Sequence, residues 1–129
     1  MYVKNIGELV IYQIALQLAK EINELVKQIP HYWNIEECGQ ILRSSSSASS
    51  NIEEGFSNRF YPKQFIKYLY TAMGSSDESK GHMEKLRNNG HVKPEIADNY
   101  IKRYKSLSIK ILRFINHLRK RHNINTNPK

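Results

Sequence analysis

The stretch from Gln40 to Gly55, QILRSSSSASSNIEEG, most constrains what this chain can fold into. Seven consecutive small residues, Ser44 to Ser50, have the composition of a flexible linker. Their context argues otherwise. Steps of three and four from Ile35 pass through Cys38, Leu42, Ser45, Ser49, Ile52 and Phe56. This seam is apolar at both ends and small in the middle, the spacing of a helix with a buried face. Its central turns carry no bulk, so neighbouring helices can come close. Serine hydroxyls within it can donate to carbonyls one turn earlier, which satisfies them while allowing burial. Gly55, near the end, suits a C-terminal turn.

Three more helices are predicted around this one. The first begins at Asn5, which pairs with Glu8 as a capping box. Its stripe is Ile11, Ile14 or Ala15, Leu18, Ile22, Leu25 and Ile29, and Pro30 closes it. His31, Tyr32 and Trp33 make a short aromatic connection, with Trp33 as a lid on the bundle end. The serine-rich helix then starts at Asn34, with Glu37 as capping partner, and runs to about Ser57. The third helix has Pro62 at its first position and a seam of Phe65, Leu69, Ala72, Ser76, Ser79, Met83 and Leu86. Gly74 sits inside it at a penalty of about 1 kcal/mol relative to Ala, which a close crossing with the serine stretch would offset. Asn88, Asn89 and Gly90 end it. The fourth opens at Pro94 and presents Ala97, Ile101, Tyr104, Leu107, Ile111, Phe114 and Leu118 on its apolar face. Connections of about four or five residues force antiparallel neighbours. The expectation is an all-α, antiparallel, up-down-up-down four-helix bundle. Residues 1–121 form its single domain, and 122–129 a disordered basic tail.

Several function classes recede. No apolar run approaches the roughly 18–20 residues of a membrane span, and the first residues lack a signal-peptide pattern. With a single cysteine the chain has no internal disulfide, so the cytoplasm is the expected compartment. Cys38 lies on the core seam and reads as a small hydrophobe. No metal motif is present: Glu78 and His82 share a face at i, i+4, but the two Glu-x-x-His motifs of a di-iron bundle are missing. There is no glycine-rich phosphate loop. The adjacent carboxylates Glu36–Glu37, Glu53–Glu54 and Asp77–Glu78 diverge by about 100° on a helix and make no acid/base couple. No base is readable beside any serine. The expectation is no enzyme, no cofactor and no metal.

Charge points instead to binding. Residues 1–93 carry 11 Lys and Arg against 10 Asp and Glu, whereas residues 94–129 carry 9 against 2. The excess is borne by Lys102, Arg103, Lys105, Lys110, Arg113, Arg119, Lys120 and Arg121 on the fourth helix, with Tyr100 and Tyr104 nearby. Such a surface can track a phosphate backbone with little sequence preference, or meet an acidic protein. It can equally be a solvated face that keeps the protein soluble.

The motifs resemble those of the four-helix-bundle 23S rRNA intervening-sequence proteins, a family that includes the accessory variability determinant (Avd) proteins of diversity-generating retroelements. Gln40, Arg43, Ser47, Asn51, Ile52, Glu54 and Gly55 fit its Q-x-x-R…S…N-I-x-E-G pattern, and Arg59 follows as its basic residue. Phe65, Leu69, Ala72, Gly74, Ser75 and Glu78 fit its F-x-x-x-L-x-x-A-x-G-S-x-x-E pattern. Leu9, Tyr12, Ala15 and Pro30 fit its first helix. The match is strong over residues 8–90 and by type only in the fourth helix. Glu53 replaces a commonly small residue, and Ser44–Ser46 replace a more apolar run. The resemblance implies a ring-like homopentamer with a binding role and no catalysis. It also implies nucleic acid or a reverse transcriptase as partners. Tyr68, Tyr70, Phe60 and Tyr61 are candidates for the additional interface a ring needs. Arg43, Asn51, Glu54 and Arg59 are expected to form a structural polar network at the end of the second helix. A protein–protein oligomerisation module without a nucleic-acid role is the alternative.

Overall fold

A computed structural model of the chain describes residues 5–124. Four helices follow one another: α1 (Val10–Lys27), α2 (Glu36–Ser57), α3 (Pro62–Asn88) and α4 (Pro94–Arg121). Short 3-10 turns at Ile6–Glu8 and His31–Trp33 precede α1 and α2. The described residues contain no strand and no helix long and apolar enough to cross a membrane. The extensive interfaces all join helices adjacent in the chain. Contact is most extensive between α2 and α3, then between α3 and α4, and sparse between α1 and α4.

The predicted stripes hold best in α3, where all seven seam residues from Phe65 to Leu86 are buried. In α4 the buried set is Ala97, Tyr104, Leu107, Ile111, Ile115 and Leu118, with Ile101 and Phe114 half-buried at its edges. The α2 seam differs. Cys38 and Leu42 are half-buried, while Ile41, Ser44, Ala48 and Gly55 join Ser45, Ser49, Ile52 and Phe56 inside. The reason is that α2 lies between α1 and α3 and must bury a face wider than a single heptad seam.

Neither expected capping box sets a helix start. The residue before α1 is Leu9 and that before α2 is Ile35, both extended and without a side-chain cap. Asn34 instead takes a left-handed conformation (φ 50°), which ends the 3-10 turn. At the other end of the chain, Asn123 (φ 53°) turns the backbone so that Ile124 N–H donates to Arg119 O at 2.8 Å. The first residues of the expected tail thus terminate α4. Residues 125–129 of that tail lie outside the described residues.

The small residues form the centre of the molecule. Ser44, Ser45 and Ser49 donate to the carbonyls of Ile41, Leu42 and Ser46. The hydroxyls of Ser44 and Ser79 meet across α2 and α3 at 2.7 Å, and those of Ser47 and Ser75 at 2.8 Å. Ser76 donates to Tyr104 O, and Ser108 donates to Ser76 Oγ, which extends the layer to α4. The Tyr104 side chain is fully buried here. Burial pushes its phenol pKa up, and the nearby Ser79 and Ser45 hydroxyls offset only part of that. Its hydroxyl lies near those of Ser79 and Ser45 but meets hydrogen-bond geometry with no described partner, and stands unbonded among the described residues.

The close approach expected at Gly74 falls at Gly55 instead. Gly74 faces open space, with nothing within 4 Å of where a Cβ would stand. Gly55 is the site of close approach: a Cβ there would lie 3.0 Å from both Phe65 Cδ1 and Tyr68 Cβ.

One ion pair clamps the sparse α1–α4 side. Arg103 grips Glu21 with two bonds, Nη1 to Oε1 at 2.7 Å and Nη2 to Oε2 at 2.6 Å, and Tyr100 Oη adds a third at 3.3 Å. The Arg103 guanidinium holds the Glu21 carboxyl pKa down at about 2.

Four outcomes are expected. Gly55→Ala should lose roughly 1–3 kcal/mol in urea unfolding, because Tyr68 Cβ is fixed to the α3 backbone and the helices must part. Gly74→Ala should gain up to about 1 kcal/mol through helix propensity alone. Tyr104→Phe removes an unbonded buried hydroxyl and should be neutral or stabilising by up to about 1 kcal/mol; a clear loss would mean that the hydroxyl is bonded in solution. Glu21→Gln should lose on the order of 1 kcal/mol at neutral pH, a modest figure because both side chains are partly exposed. Since folding lowers the Glu21 pKa, the pair stabilises above the ordinary carboxylate value of 4.5 and fades as pH falls to about 2. The difference between wild type and Glu21→Gln should therefore vanish across that window.

Candidate functional site

The residues singled out by sequence separate into two places. On the α2–α3 face, Gln40, Arg43, Ser47, Ser75 and Glu78 line one polar cleft, together with Ser44 and His82. Asn51 is tied to it by donating from Nδ2 to Ser47 O at 2.9 Å and Ser47 Oγ at 3.0 Å. Gln40 Nε2 donates to Glu36 at 3.1 Å. The spacing of these residues along two helices, steps of three and four on each, is what brings them onto facing sides.

The expected network of Arg43, Asn51, Glu54 and Arg59 does not form. Sixteen residues of helix separate Arg43 from Arg59, about 24 Å at 1.5 Å per residue. Arg43 and Asn51 belong to the cleft. Glu54 is exposed. Arg59 caps the far end of α2, where Nη1 donates to Phe56 O at 3.1 Å. Its guanidinium lies over the Phe56 ring at 4.3 Å and the Phe60 ring at 4.7 Å.

The cleft lacks the arrangement of a hydrolase. His82 Nδ1 sits 2.8 Å from Glu37 Oε2, a partner on α2 rather than Glu78 on its own helix. Yet the serine hydroxyls bond to one another and to carbonyls, and none of those described bonds to His82. No group of three or more His, Cys, Asp or Glu among the described residues could hold a metal. Burial raises the Cys38 thiol pKa, with a further contribution from Glu37, so the thiolate form is disfavoured.

The second place is the end of the bundle where α1 begins and α2 and α4 finish. With Glu21 level with Arg103 and the helices antiparallel, Val10 stands level with about residue 114 of α4. The last two turns of α4 therefore run past the start of α1. A groove of about 660 Å³ opens there. Its floor is Leu9, Ile11, Phe56, Phe65, Phe114 and Leu118, and its rim carries Arg59, Lys110, Arg113, Arg121, His117 and His122. No acidic side chain is among the described residues that line it.

This geometry sorts the eight cations of α4. Lys110, Arg113 and Arg121 share one stripe at the groove. Lys102, Lys105 and Lys120 are exposed, and Lys110 also donates to Ser106 Oγ at 3.1 Å. Arg119 lies within 3.5 Å of Tyr70 Oη. Arg103 is turned inward to Glu21 and serves the fold. Tyr100 and Tyr104 are likewise committed, to Glu21 and to the core. Sequence reading missed Arg59 and Phe60 as neighbours of the α4 cations, because fifty residues of chain separate them from Lys110. Among the candidate interface aromatics, Phe60 and Tyr61 are 69% and 68% exposed, whereas Tyr68 and Tyr70 are half-buried. Trp33 packs on His91 with ring centroids 5.9 Å apart and stays half-exposed.

Comparison with known proteins agrees with this fold. A crystal structure of a protein with unknown function from the S23 ribosomal protein family of Bacteroides thetaiotaomicron superposes with a TM-score of 0.75. The two share 22% identity over 81% of this chain and 97% of that one. Among curated proteins none matches significantly. The model of the 23S rRNA-intervening sequence protein family matches residues 7–113. That span takes in both glycines, the serine layer, the polar cleft and most of α4, and the chain belongs to the 23S rRNA-intervening sequence protein family.

Proposed function

We propose that this protein is a non-catalytic, cytoplasmic nucleic-acid-binding scaffold. The observation that carries the reading is the cation distribution. Lys102, Lys105 and Lys120 on α4 are exposed, Lys110, Arg113 and Arg121 rim the groove, and Arg59 joins them from the end of α2. Exposed cations in this density raise the local concentration of polyanions and bind phosphates by releasing counterions. The polar cleft, whose hydroxyls are consumed in packing, supports a structural role for the family motif. The resemblance to Avd proteins extends the reading to a homo-oligomer, a pentameric ring, and to a reverse transcriptase as protein partner. A ring would multiply each weak cationic contact.

The test is fluorescence anisotropy of labelled RNA and DNA oligonucleotides over a salt series. With about four phosphate contacts, affinity should fall roughly 50- to 150-fold between about 50 and 200 mM salt. Changing Lys102, Lys110, Arg113 and Lys120 to Gln should abolish binding and leave the melting temperature within a few degrees. Arg103→Gln should do the reverse and lower stability more than binding. Absence of binding by the wild type at about 50 mM salt would remove the nucleic-acid reading and leave an oligomerisation module.

A further inference from the structure

We infer that the groove at the α1 start and α4 end takes single-stranded nucleic acid, with unstacked bases on its aromatic side and phosphates on its cationic rim. The inference rests on the nucleic-acid reading above and specifies the form of the ligand. Two observations carry it. First, the groove joins two surfaces that rarely meet: an apolar floor and a rim holding Arg59, Lys110, Arg113 and Arg121 with no acid among the described lining. A duplex offers only phosphates to the rim, because its bases are already stacked. A single strand can use both.

Second, the aromatics are placed for stacking. Phe60 is 69% exposed and follows Arg59, whose guanidinium lies between the Phe56 and Phe60 rings. That cation–π stack fixes one face of Phe60 and leaves most of the ring open. A volume of about 660 Å³ is in the range of sites that hold small planar ligands. A floor without hydrogen-bonding side chains would stack bases with little regard to sequence.

The experiment compares four probes against the full chain at one salt concentration: an unstructured oligo-uridine or oligo-thymidine strand, a duplex of equal length, an abasic strand of equal length, and polyglutamate as competitor. The single strand should bind at least about tenfold more tightly than the duplex and the abasic strand. Phe60→Ala, at an exposed position, should weaken single-strand binding about 5- to 100-fold with an unchanged salt slope. Phe60→Tyr should restore it. Arg113→Gln should lower the salt slope by about 0.7. Equal affinity for strand and duplex, or no effect of Phe60→Ala, would overturn the inference while leaving the nucleic-acid reading standing. Displacement of the strand by polyglutamate at matched charge would also overturn it, in favour of an acidic protein partner. Failure of every nucleic-acid probe to bind would remove both.

Discussion

The close packing of α2 against α3 through serine is the constraint on which the rest of the bundle depends. A leucine-filled seam would hold two helices 8–10 Å apart by bulk alone. Here hydroxyls replace that bulk, and each must find a partner because an unbonded buried hydroxyl is expensive. They do so in two ways, on carbonyls within their own helix and on one another across the interface. The cross-helix pairs fix the axial register, since a slide of either helix would break Ser44–Ser79 and Ser47–Ser75 together. Gly55 extends the close approach to the end of α2, where Phe65 and Tyr68 occupy the space a side chain would take. With the central pair set, α1 and α4 are added to its flanks.

Much of this was legible in the sequence, and the failures have physical causes. All seven residues of the α3 stripe are buried, because the spacing picks out the centre of the inward face. Both the α2 and α3 stripes were read too narrowly, with Ile66 and Ser75 also buried in α3, because one period cannot describe a helix held between two neighbours. The capping boxes failed at the backbone: Asn34 takes a left-handed turn that no residue count reveals. Gly55 and Gly74 are indistinguishable by composition, and only the path of α3 decides which one is crowded. The motif residues were legible as a group, but not their division between a cleft and a helix end 24 Å apart.

The cations show the same boundary. Eight Lys and Arg residues on one helix look equivalent in sequence. Arg103 differs because its partner, Glu21, lies 82 positions earlier in the chain, and its guanidinium supplies a strong link across the sparsely packed side. Lys110, Arg113 and Arg121 differ because they share one stripe that lines the groove at the end of the bundle. Which side of the helix a cation occupies, and what stands opposite it, thus decides which charges are structural and which are presented to a ligand.

The order of packing also has a kinetic consequence. Each of the three extensive interfaces joins helices adjacent in the chain through short turns, and only the sparse α1–α4 side joins its two ends. Such a chain has low contact order, and chains of low contact order close few large loops and fold quickly. During synthesis α3 and α4 each find their principal surface, on α2 and on α3, already made, and an α1–α2–α3 stack can form before the basic helix is complete. The polycationic segment therefore docks last, onto a serine-lined surface that is already formed, which shortens the time during which it is exposed as an unfolded basic chain among the nucleic acids of the translating ribosome.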